Sequence, residues 1–191
     1  MSISVISLRS AIFPRTTALN NALFITSGTL FIAAMARIAL PVPGSPIPVT
    51  GQTLAVLLIG TSYGATLGAT TVLMYLLVGI AGAPVFAHGA HGLARLTGAT
   101  GGYLIGMLVA SIIVGALAGR KWDQRIMTAL PTMLLGNVVI FSFGLIWLFA
   151  HSDKGWSWTI SAGLTPFIIG EIFKVAIAGT SLPIVWRFVQ K

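Results

Sequence analysis

The chain contains no cysteine, which excludes a disulfide framework, thiolate catalysis and cysteine-ligated zinc or iron–sulfur sites. Charge is scarce too. Only 7% of the 191 residues are charged, against about 25% in an average soluble domain. Too few polar groups are present to cover a globular surface, so a soluble enzyme or a nucleic-acid binder is excluded despite a net charge of +8. Acidic residues are scarcest: Asp123, Asp153 and Glu171 make up the whole set, too few for a carboxylate-caged metal site. No Walker motif, Gly-x-Ser-x-Gly elbow or His-Glu-x-x-His motif occurs, so the chain carries no ATPase of its own.

What is abundant is hydrocarbon. Apolar residues make up 56% of the sequence, and at ~20 residues per span there is room for about six membrane-spanning helices with short loops. The expected fold class is an all-α membrane protein. Residues 1–17 form a cytoplasmic N-terminal segment at the interface, without a secretory h-region, and 18–191 a single six-helix domain. The first span runs from about Ala18 to Leu40. Pro41, Pro43, Pro46 and Pro48 then demand an extended loop.

From Gly51 to Gly82 there are 32 residues without a charge. One helix of that length would be about 48 Å long, well beyond the ~30 Å hydrocarbon core. The polar stretch 61–64 is the natural break, giving a short second span (Gln52 to Gly60) and a third (Ala65 to Ile80). The stretch from Pro84 to Thr100 reads as a long loop. The fourth and fifth spans are about Gly102 to Ala118 and Thr128 to Ala150, with a polar loop from His151 to Trp158. Thr165 and Pro166 supply an N-cap and a first helical residue for the last span, which reaches Trp186 with a bend at Pro183.

Basic residues test the count. Six spans with cytoplasmic termini place Arg9, Arg15, Arg120, Lys121, Arg125, Arg187 and Lys191 inside and Arg37, Arg95 and Lys154 outside. Five spans give a poorer division, so the positive-inside rule favours six.

Glu171 and Lys174 are the exceptions to the apolar spans. Three residues apart, they share a helix face. For a helix starting at Pro166 they lie about 8 and 12 Å along it, too deep to snorkel easily. A charge at the bilayer centre costs roughly 2.5–3.5 kcal/mol on insertion scales, and such groups usually mark a substrate or ion path. A self-neutralised structural pair is the alternative. Glu171 suits ligand N–H groups, and Lys174 suits an anion or a carbonyl. His88 and His91 have metal-pair spacing but no third ligand nearby, so a polar loop lining a pocket is the better reading. Arg95 is a candidate anion partner or an interface anchor. Gly101 and Gly102 allow backbone to approach a ligand or a helix. Gln52, Tyr75 and Asn137 are polar groups in spans, suited to interhelical bonds or to a ligand. Small residues recur at four-residue spacing in Gly60/Gly64/Gly68, Gly102/Gly106 and Gly115/Gly119, which suits close helix packing. Ala18 and Ala22 repeat it where a partner helix has access.

Three stretches together resemble the BioY family, the biotin-binding S components of energy-coupling-factor (ECF) transporters: PVPGSPIPVTGQT (41–53), GAPVFAHGAHGLARLTGATGGYL (82–104) and GEIFK (170–174). The resemblance implies a six-helix S-component bundle in the cytoplasmic membrane, without a cofactor, metal or catalytic residue. It implies high-affinity biotin capture near the outer face and uptake driven by a membrane coupling subunit and two ATPases. Under it Glu171 and Lys174 meet the ureido ring or carboxylate, Phe86 and Tyr103 cover the apolar body, and Ala18 and Ala22 lie on the docking face for the coupling subunit. The family often carries Asp at position 171, Pro at 99 and, in some members, Arg at 104. Here these are Glu171, Ala99 and Leu104, which leaves the basic partner of the carboxylate open, with Arg95 and Lys174 as the candidates. A carrier for another vitamin or small organic anion is the alternative on the same scaffold, and an intramembrane enzyme the more distant one.

Overall fold

A computed structural model describes residues 7–14 and 17–190. Residues 1–6, 15–16 and 191 are outside the described set, and with them most of the expected N-terminal segment's start, Arg15 and Lys191 of the charge count. The architecture is helical: α1 (Leu8–Ile12), α2 (Ala18–Arg37), α3 (Gln52–Tyr63), α4 (Ala65–Ile80), α5 (Leu93–Thr97), α6 (Gly101–Ala118), α7 (Ile126–Ala150), α8 (Gly155–Gly163) and α9 (Ile168–Val189). Four segments are long and apolar enough to cross a membrane: α2, α6, α7 and the run from α8 into α9. The shorter apolar helices α3 and α4 complete the expected set of six. Large side chains on the outer faces, among them Leu134, Ile146, Ile172 and Phe173, are exposed, which suits a hydrocarbon solvent.

Helix α6 is the centre of the bundle and packs on α3, α4 and α7. Its small residues make that possible. A Cβ on Gly102 would fall 2.2 Å from the Cβ of Trp147, one on Gly106 2.9 Å from the Ile140 backbone, and one on Gly115 2.4 Å from the Ala65 nitrogen. The four-residue repeats are therefore close backbone crossings within the chain. Leu57, Val72, Tyr75, Val114, Met133 and Ile140 fill the core between them, all fully buried.

Several element boundaries differ from the sequence expectation. Helix α2 ends at Arg37, and Ala39–Leu40 instead pairs antiparallel with Val49–Thr50 as a two-residue ladder, β1–β2. The proline-rich loop is thus a pinned hairpin turning at Gly44, whose φ is +79°. Helix α3 continues through the polar stretch to Tyr63, since the Thr61 hydroxyl bonds back to the Leu57 carbonyl and needs no break. The chain turns at Gly64, with φ +83°. The expected loop 84–100 contains a 3₁₀ turn (Ala87–Gly89) and α5. The expected polar loop 151–158 passes into α8, covered by stacked Phe149 and Trp156 rings. Thr165 caps nothing: its hydroxyl donates to the Ile160 carbonyl, residues 165–167 form a 3₁₀ turn, and α9 begins at Ile168.

At the other end of the bundle the turn between α6 and α7 carries the fully buried Asp123. Its Oδ2 accepts a hydrogen bond from the indole of Trp186 near the end of α9, at 2.5 Å. Its Oδ1 has no partner among the described residues. Burial pushes this carboxyl up to about 6.

Candidate functional site

At the end of the bundle where the β1–β2 hairpin lies, a cavity of about 210 Å³ opens between the hairpin, the loop 86–95 and the starts of α3, α6 and α9. Four segments distant in sequence build it, and each is held by identifiable contacts. Phe86 seats its ring where Gly79 has no side chain, edge-on to Tyr75 at 5.5 Å, which fastens the loop onto α4. Arg37 donates to the Pro84 carbonyl at 2.7 Å. Tyr103 donates to the Gly163 carbonyl at 2.8 Å and packs edge-on against Phe141, which packs in turn on Phe167. These three rings are one apolar wall.

The polar side is organised by α9. Glu171 is 8% exposed and lines the cavity. Its Oε1 lies 2.6 Å from Lys174 Nζ, and the Thr53 hydroxyl is 3.0 Å from both carboxylate oxygens. Lys174 Nζ also donates to the Thr50 carbonyl at 2.5 Å and to the Thr53 hydroxyl at 3.1 Å. Three oxygen partners thus surround the ammonium, which is how a buried charge is kept in a low-dielectric site. Lys174 itself does not line the cavity. It stands behind Glu171 and ties α9 to β2.

Gln52, at the start of α3, is 4% exposed and also lines the cavity. Its Nε2 donates to the Tyr75 hydroxyl at 2.6 Å, and that hydroxyl donates to the Val85 carbonyl at 3.2 Å. A phenol has one hydrogen to give, so the direction of this chain fixes the amide with its nitrogen toward Tyr75. At the rim lie His88, in left-handed conformation at φ +56°, and the exposed Arg95. The Arg95 guanidinium forms no ion pair or hydrogen bond among the described residues.

Of the residues singled out from sequence, Glu171, Tyr103, Phe86, Gln52, His88 and Arg95 meet around this cavity. Lys174, Gly101 and Gly102 do not line it. Both glycines face inward to α5 and α7: a Cβ on Gly101 would sit 1.8 Å from the Leu96 carbonyl oxygen. His91 is exposed and outside the lining. Ala18 and Ala22 are exposed on α2. Sequence reasoning missed Thr53, which bridges both Glu171 oxygens, and the lining residues Thr100, Met107, Phe141 and Phe167.

The sequence model of the BioY family matches residues 9–191. The chain belongs to the BioY family. Among curated proteins it is similar to the biotin transporter BioY2 of Lactococcus lactis subsp. cremoris, at 34% identity over 169 residues, which is 87% of this chain and 91% of that protein. It is 32% identical over 160 residues to the biotin transporter BioY of Rhizobium etli, covering 78% and 85% of the two chains. Among solved structures it is similar to the S-component for biotin from an ECF-type ABC transporter, with a TM-score of 0.80, 25% identity, and coverage of 93% of this chain and 96% of that one. The chain is therefore a multi-pass membrane protein with the S-component fold.

Proposed function

We propose that this BioY-family chain binds biotin in the cavity under the hairpin and takes it up as the substrate-specific subunit of an ECF-type transporter. The observation that carries the reading is the set of groups the cavity brings together: a buried carboxylate, four aromatic rings and an exposed guanidinium without an ion pair among the described residues. Biotin has the complementary set of a ureido ring with N–H donors, an apolar body and a carboxylate tail. Glu171 accepts from the ureido N–H, Tyr103, Phe141 and Phe86 cover the body, and Arg95 with His88 receives the carboxylate. Lys174 pairs with Glu171 and aims its carboxyl group, a positioning role rather than a contact. No catalytic nucleophile is needed, and the relatives are named as transporters.

The membrane is the cytoplasmic one, with the cavity facing outward and both termini inside. Asp123 and the basic residues Arg120, Lys121, Arg125 and Arg187 then lie at the inner face, as the positive-inside rule requires. The exposed Ala18 and Ala22 face of α2 is the docking surface for the coupling subunit, through which two ATPases act.

Saturable binding of radiolabelled biotin to the purified, folded chain tests the reading, with a vitamin panel as competitor. Biotin alone competing is the expected result. Competition by another vitamin with biotin inactive selects the alternative cargo, and no saturable binding by folded protein overturns the proposal.

A further inference from the structure

A second cavity of about 380 Å³ lies between α7 and α9 and opens sideways. Its rim residues Leu134, Val138 and Ile172 are each more than half exposed, so it faces hydrocarbon. Phe141 and Glu171 line both this groove and the cavity under the hairpin, so those two side chains are the partition between them. One turn before Phe141 on the same face of α7 stands Asn137, 5% exposed and lining the groove. Neither its Nδ2 nor its Oδ1 has a partner among the described residues. An amide buried without hydrogen bonds is a standing cost in a span, where no water compensates it. The other buried polar side chains of the spans, Gln52, Thr53 and Tyr75 among them, are all engaged.

We infer that Asn137 is a specificity-determining residue of the same site, reading one N–H/C=O edge of the ring urea once the Phe141 ring turns aside and joins the groove to the cavity. This rests on biotin being the ligand. A carboxamide presents one donor and one acceptor side by side, the complement of a cyclic urea edge. A cyclic urea has two such edges, flanking one carbonyl. Glu171, an acceptor only, takes the N–H of one edge. Asn137 takes the other, its Oδ1 accepting the N–H and its Nδ2 donating to the urea oxygen. Phe141 lies against Tyr103 and Phe167, between the amide and the cavity.

The test uses the full chain in nanodiscs, biotin, and the two biotin derivatives methylated on one or the other ureido nitrogen. Wild type is expected to bind biotin and reject both derivatives. Asn137→Leu is expected to bind biotin roughly 5- to 150-fold more weakly, the range for losing one bidentate pair. It should also lose its rejection of one methyl isomer while keeping the other, and its unliganded Tm should rise. A merely structural role moves Tm without altering the choice between isomers. Unchanged biotin affinity with both rejections intact overturns the inference and leaves the biotin reading standing, whereas wild type failing to bind biotin overturns that reading itself. Asn137→Ala repeats the measurement should the leucine variant fail to fold. Failure of both to fold overturns the inference, because the amide then holds the bundle together.

Discussion

Replacing Lys174 by Met keeps the stem and removes the ammonium, and the geometry says this injures stability and recognition by separable routes. Glu171 loses its partner at 2.6 Å and keeps only the Thr53 hydroxyl. Removing one member of a buried ion pair costs about 3–5 kcal/mol, because the other charge is left uncompensated. Thr53 and the open cavity still solvate the carboxylate, so the lower end applies, about 3 kcal/mol. At roughly 2–4 °C per kcal/mol for a chain of this length, Tm falls by about 6–12 °C. The double variant Lys174→Met with Glu171→Gln carries no charge to orphan. Its stability is expected within about 1 kcal/mol of wild type, since a neutral pair of similar volume commonly replaces a buried ion pair without loss. Binding does not recover with it. The glutamine offers the urea a neutral acceptor in place of an anion, and losing a charge-assisted bond of about 1.5–3 kcal/mol weakens biotin by roughly 10- to 150-fold. Thermal melts with and without biotin on the three proteins read both quantities. A double variant no more stable than Lys174→Met, or one binding biotin like wild type, would refute the reasoning.

Thr53→Val removes the hydroxyl that spans both Glu171 oxygens and is expected to weaken biotin about fivefold with a Tm loss near 1 kcal/mol, read by the same melts. Asp123 makes stability depend on pH. Its carboxyl rises from 3.8 to about 6 on folding, so the folded chain holds the proton more tightly than the unfolded chain. Stability therefore falls as pH rises from about 4 to 6 and is level above, by ~3 kcal/mol at most, and Asp123→Asn should flatten that segment of a Tm-against-pH curve. Ala18→Leu with Ala22→Leu adds bulk on an exposed face of α2, so biotin binding by the isolated chain should be unchanged while uptake by the assembled transporter falls.

What the sequence disclosed follows from what each residue type must do in hydrocarbon. Glu171 was legible because a carboxylate in a span needs a reason, and the six-helix count followed from apolar length. Thr53 was not legible, because a hydroxyl in a span commonly bonds back to its own helix, as Thr61, Thr71 and Thr132 do here. Nothing local distinguishes the one threonine that reaches across 118 positions to a carboxylate. The aim of Lys174 was equally hidden. Spacing puts it on the face of Glu171, but only the position of β2 decides that its stem turns to the Thr50 carbonyl and away from the cavity. Gly101 and Gly102 announced a close approach without saying to what, and the Leu96 carbonyl and Trp147 are the answer.

The position of Lys174 also links recognition to the cover of the site. The hairpin that roofs the cavity is held at its base by a two-residue ladder, and the Thr50 carbonyl at that base receives the ammonium. The same ammonium balances the carboxylate that we propose meets the ligand. A urea N–H donating to Glu171 draws charge from the pair, and the ammonium then leans further on its other two oxygens, on Thr50 and Thr53. On the proposed reading, filling the cavity is expected to tighten α9 against the hairpin base through one side chain. A ligand of the same shape without the ring N–H groups would fill the apolar wall and leave that tie unaltered. On the proposed reading, affinity and the tie at the hairpin base therefore share the ring N–H that donates to Glu171.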